Sequence, residues 1–158
     1  MNRDFLSAKL QEIKSRFESG KHPIIAPVWE IKIPNLLSSN SDDKYRFQLV
    51  KEIPLNFLLN NLHESYLSLF NQKILFNYRL KEYKVCNILS RWDEGLPIDP
   101  PTLIWNEHLD KIQISNGIHR VNTAIIMGAK KLPAVIPNKD YLKIYPLLLE
   151  SSGRDYFK

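Results

Sequence analysis

The chain has 158 residues, 44% hydrophobic and 25% charged, with a formal net charge of +5 and an isoelectric point near 9.3. That length and balance fit one globular domain with a buried core, and a single cysteine excludes both an intramolecular disulfide framework and a cysteine-based zinc cluster. No apolar run reaches membrane-span length and the N-terminus lacks a secretory h-region, so a cytoplasmic protein with no membrane partner is expected.

In chain order, Leu6, Leu10, Ile13 and Phe17 recur at helical spacing, with Lys9, Glu12 and Lys14 around them and Gly20 as a stop. This predicts an amphipathic helix over 1–22 that packs on the domain or, as the alternative, on a protein partner. Residues 23–34 are β-rich (Ile24-Ile25, Val28-Trp29, Ile31 to Ile33) but interrupted by prolines, which predicts edge or irregular strands. Residues 38–43 read as a polar loop. Residues 45–51 alternate as a strand that Pro54 breaks. Leu58, Leu59, Leu62, Tyr66, Leu69 and Phe70 then mark the apolar face of a helical segment. A second helical pattern spans 78–94, with Tyr83, Val85, Ile88, Leu89 and Trp92 inward and Gly95 as its stop. The only cysteine, Cys86, sits among those apolar positions, as an inert small hydrophobe does. Residues 102–105 and 111–115 predict a hairpin around 106–110, and the apolar stretch 141–149 fits either helix or strand.

The most informative stretch follows the hairpin. Ser115-Asn116-Gly117 turns a corner into a helical segment that carries His119 and Arg120 in its first turn. A helix start offers unpaired N–H groups and the positive end of the helix dipole, which favours an anion in front of it. Glycine at the corner permits close backbone approach, and Arg120 can grip phosphate oxygens with two hydrogen bonds. Ser115 or Asn116 is expected to cap the helix. Asn122 and Thr123 fall in the next turn, where either can face a pocket or, for Asn122, solvent.

Around this box the chain resembles the ParB/sulfiredoxin superfamily. The likeness covers residues 97–136: Pro97-Ile98-Asp99-Pro100-Pro101, then Gly117-Ile118-His119-Arg120, then Ala124, Met127-Gly128 and Leu132-Pro133-Ala134-Val135-Ile136. Val50 to Leu55 is similar to the family's opening strand. The resemblance implies an α/β (mixed α+β) fold over 23–149: a small mixed sheet with flanking helices and, here, an enlarged helical insert. Residues 150–158 are left as a tail. It also implies a nucleotide or phosphorylated small molecule as ligand, a nucleoside triphosphate (ATP or CTP) with Mg²⁺ as cofactor, and contacts from Ser115, Asn116, Gly117, Ile118, His119, Arg120 and Thr123.

Departures from the family's pattern narrow the activity. Ile118 stands where sulfiredoxin has its reactive cysteine, so sulfinic-acid reduction is not expected. Only 22 residues follow Ile136, too few for the DNA-binding and dimerisation regions of a partition protein. Phosphoryl transfer or nucleotide hydrolysis remains, with His119 stabilising charge and Glu52 or Asp99 as the carboxylate that positions an acceptor. The Asp42-Asp43 pair of the polar loop could touch a metal but reads as a solvated turn, so no protein-held metal is expected. The alternatives are a non-catalytic nucleotide switch or protein-interaction module, and a DNA-associated nuclease. Against the last, basic residues occur only in local pairs such as Lys81/Lys84 and Lys130-Lys131, the pattern of a solvated surface.

Overall fold

The computed structural model describes residues 3–18, 24–32 and 46–156. Gly20, the loop over 38–43, and the ends of the proline-interrupted 23–34 segment lie outside the described residues.

Asn106 sets the central hairpin: its Oδ1 accepts the N–H of Leu109 at 3.1 Å, and Asp110 closes the turn at φ 49°, a left-handed conformation that Asp tolerates. The turn joins β2 (Thr102–Asn106) to β3 (Lys111–Asn116), as the alternation predicted. With β1 (Phe47–Pro54) and β4 (Lys131–Pro137) they form one mixed sheet in the order β1-β4-β2-β3. β1 and β4 run antiparallel, while β4 and β2 run parallel. Leu132 to Ile136 are buried without alternation, as a central strand covered on both faces requires. The class is α/β mixed, with six helices around the sheet among the described residues.

The helical segment after β1 divides into α2 (Leu55–Asn61) and α3 (Glu64–Gln72), although its apolar spacing suggested continuity. Leu62 leaves the helix in an extended conformation and bridges to Ile112 of β3. His63 then caps α3 by accepting the N–H of Ser65 at its Nδ1, 3.2 Å away. Tertiary pairing overrides the local pattern here.

The next helix, α4 (Glu82–Asp93), starts four residues later than the pattern suggested. Asn77 takes that stretch: its Oδ1 accepts the N–H of Arg79 and its carbonyl that of Leu80, a turn that competes with helix. The expected inward Val85, Ile88, Leu89 and Trp92 are buried, but Tyr83 is 51% exposed. Gly95, at φ 72°, follows the helix end as predicted.

α1 (Arg3–Glu18) lies on α4. Ile13 and Phe17 are buried; the side chains of Leu6 and Leu10 lie outside the described set. Residues 24–32 run as irregular chain with one bridge, Trp29 to Ile98. Trp92 Nε1 holds the segment by donating to the Val28 carbonyl at 2.9 Å. α5 (Ile118–Ile126) follows β3, and α6 (Asn138–Tyr156) follows β4 and continues past residue 150. Two apolar clusters result. One joins the sheet to α2, α3 and α6 through residues such as Phe70, Leu103, Ile136 and Ile144. The other joins α1, α4 and α5 through Phe17, Leu89, Trp92 and Ala124.

Candidate functional site

Thr102 pairs with Asn116 on one side and Val135 on the other. The ends of β3 and β4 therefore lie at one end of the sheet, and α5 and α6 both begin there. Gly117 makes the first of these turns at φ 103° and stands as the N-cap of α5 without a side-chain cap. Ser115 and Asn116, expected to cap, instead complete β3 and are exposed. The N–H groups that open α5 are left without a capping side chain, and two exposed polar residues precede the positive end of the helix.

The glycine has a different steric cause from the one its motif suggested. A Cβ at Gly117 would lie 2.9 Å from both Cα and Cβ of Pro101 and 3.1 Å from Arg120 Cζ. Close approach is used by the chain's own Pro101 and by the arginine, so the missing side chain at Gly117 makes room for packing at this corner.

Arg120 is braced. Its Nη1 donates to the carbonyls of Asp99 at 2.7 Å and Pro100 at 3.1 Å, which occupies both hydrogens of that nitrogen. Nε–H and Nη2 remain in the fork. Burial works against its charge, and the Asp99 carboxylate partly offsets that. His119 is also engaged, since its Nε2 accepts the backbone N–H of Lys81 at 2.9 Å. The ring's acidity shifts toward the neutral form through burial first, then through Lys84, Lys81 and Arg120. A neutral imidazole accepting at Nε2 carries its proton on Nδ1, so the lone pair a general base needs is already used.

The remaining expected residues separate. Thr123 is buried and donates its hydroxyl to the His119 carbonyl at 2.7 Å, a bond internal to α5 that removes it from ligand contact. Asn122 is also buried; Nδ2 donates to the Ile74 carbonyl at 3.3 Å, and Oδ1 has no partner among the described residues. Asp99 lies beside Arg120, whereas Glu52 does not approach the box. Glu52 is on β1, the opposite edge of the sheet from β3, and its exposed carboxylate pairs with Lys131 at 3.1 Å. Cys86 is buried, and burial, then Glu82, pushes its thiol up to about 11. Among the described residues no group of His, Cys, Asp and Glu could hold a metal ion.

Two residues at helix starts have no clear signal in the sequence. Lys81 stands there only as half of a basic pair, yet its N–H anchors His119; no local pattern reports a hydrogen bond across 38 residues. Asp140, in the first turn of α6, is buried with Oδ2 unpartnered among the described residues. Its acidic place at a helix start is the one signal that could have found it.

Fold and site together define a mixed α/β protein in which an uncapped helix start is flanked by a braced arginine and a neutral histidine. Comparison of the chain with protein-family models, curated proteins and solved structures gives no match. Among the described residues no helix is long and apolar enough to cross a membrane.

Proposed function

We propose that the protein is a non-catalytic phosphate-binding module that takes a nucleoside triphosphate, ATP or CTP with Mg²⁺, at the start of α5. The observation that carries this reading is the brace on Arg120: the carbonyls of Asp99 and Pro100 fix a guanidinium beside the uncapped helix start. A cation held in place loses little freedom when it meets a phosphate. Exposed Ser115 and Asn116 supply further donors at the same corner, and the ParB/sulfiredoxin resemblance supports a nucleotide as the phosphate's source. Binding without turnover is favoured because His119 Nε2 is already accepting the Lys81 N–H and Glu52 sits on the far edge strand.

The test is calorimetric titration of ATP, CTP and GTP with Mg²⁺ into the wild-type chain and into Arg120→Lys, with a thermal melt to verify folding of the variant. Binding of at least one nucleotide is expected, weakened about tenfold or more in the variant because lysine cannot form the fork, with the nucleotide recovered intact. Absence of binding overturns the reading, and release of the diphosphate overturns its non-catalytic part.

A further inference from the structure

The segment from Lys73 to Lys84 joins α3 to α4 and carries Lys73, Arg79, Lys81 and Lys84 against one acid, Glu82. Glu82 shares Lys14 of α1 with Glu18, at 3.2 Å and 3.4 Å, so this trio keeps one negative charge against the four cations of the segment. Among the described residues no hydrogen bond or ion pair engages the ammonium groups of Lys73, Lys81 and Lys84. Interleaved with these cations are Tyr78, 89% exposed, Tyr83 and Ile74. An aromatic ring so fully in water has given up the burial that normally stabilises it.

The segment is nevertheless held in shape. Arg79 donates to Ser68 Oγ at 2.9 Å and to the Ser65 carbonyl at 3.1 Å. Asn77 closes the turn before it, and His119 ties down its far end at Lys81. An open depression of about 450 Å³ lies beside Lys81, Glu82, Tyr83 and Cys86. The surface is braced, cationic and aromatic.

We infer that the exposed surface of the segment from Lys73 to Lys84 binds single-stranded nucleic acid, with unstacked bases on Tyr78 and Tyr83 and backbone phosphates on Lys73, Lys81 and Lys84. Exposed rings interleaved with unmatched cations form the stacking-plus-charge platform that single strands use. A duplex keeps its bases stacked and out of reach of such rings, and is read instead by a helix or ribbon entering a groove. A protein partner is disfavoured because the cores of protein interfaces are depleted of lysine. The surface does not require the α5 site to be filled.

The experiment is fluorescence anisotropy with labelled 12-mer ribo- and deoxyribo-oligonucleotides, single-stranded and duplex, over a salt series. Single strands of at least one sugar type are expected to bind more tightly than their duplex. Tyr78→Ala and Tyr83→Ala each weaken binding about tenfold, without changing the salt slope. Lys84→Ala lowers the slope by about 0.7, the change for a single strand with one phosphate fewer neutralised. Equal or tighter duplex binding overturns the proposal, as does binding that ignores both tyrosines or no binding of any oligonucleotide. Parallel Mg²⁺–nucleotide titrations separate the two readings: nucleotide binding that survives Tyr78→Ala without oligonucleotide binding leaves only the α5 site standing, and the converse leaves only this surface.

Discussion

The imidazole of His119, in the first turn of α5, accepts the N–H of Lys81, the residue that caps α4. One hydrogen bond thus joins the starts of two helices, and it exists only while Nε2 is unprotonated.

Stability should therefore depend on pH through this ring. Burial and the neighbouring cations hold the folded-state acidity of His119 below the ordinary 6.5, so the unfolded chain binds its proton more readily. The contribution is complete above 6.5 and is lost as pH falls from there toward the lowered folded value. Urea melts from pH 8 to pH 5 should show this loss in the wild type and a flatter profile in His119→Gln. The variant should also be less stable at pH 8 by about 1 kcal/mol, because a flexible amide oxygen replaces the ring as acceptor of the Lys81 N–H and fills the site less well. A parallel profile in both proteins would refute the assignment.

Gly117→Ala should be among the more damaging small substitutions in the chain. A positive φ of 103° strains any side chain, and the new Cβ would collide with Pro101 at 2.9 Å; together these should cost about 2–4 kcal/mol. Gly95→Ala has a positive φ of 72° but open space around the Cβ, and should cost only about 1 kcal/mol. Paired chemical denaturation of the two variants checks the difference, and equal costs would mean that Pro101 yields.

Arg120 should matter for stability as well as for binding. Arg120→Met removes the donor to the Asp99 and Pro100 carbonyls, with an expected loss of about 1.5–3 kcal/mol for charge-assisted bonds. Arg120→Lys should retain part of that, since an ammonium can reach one carbonyl but lacks the planar fork. Thermal melts ordering wild type above lysine above methionine would support this, while an unchanged melting temperature in Arg120→Met would contradict it.

Cys86 should report unfolding. Its thiol, pushed up to about 11 by burial first and Glu82 second, is protonated and shielded near neutrality, and the thiolate is the reactive form. A thiol reagent at pH 8 should label the chain only as fast as the structure opens, with a rate that rises with urea. Rapid labelling of the native protein would place the sulfur at the molecular surface instead.

Much of the fold is legible locally because the signals are local. The turn at Asn106 and Asp110, the stop at Gly95, the apolar rows of α4 and the corner at Gly117 each depend on residues within a few positions. Spacing and turn chemistry were enough for the mixed α/β class, the hairpin, and the place where a helix starts with His119 and Arg120 in its first turn. What those residues contact depends on long-range packing. Leu62 breaks a helix to reach Ile112, Gly117 yields space to Pro101, His119 turns to Lys81, and Glu52 is carried to the opposite edge of the sheet by strand order. Each outcome depends on pairings between residues far apart in the chain, set by which faces must be buried together, and a spacing pattern carries no record of them.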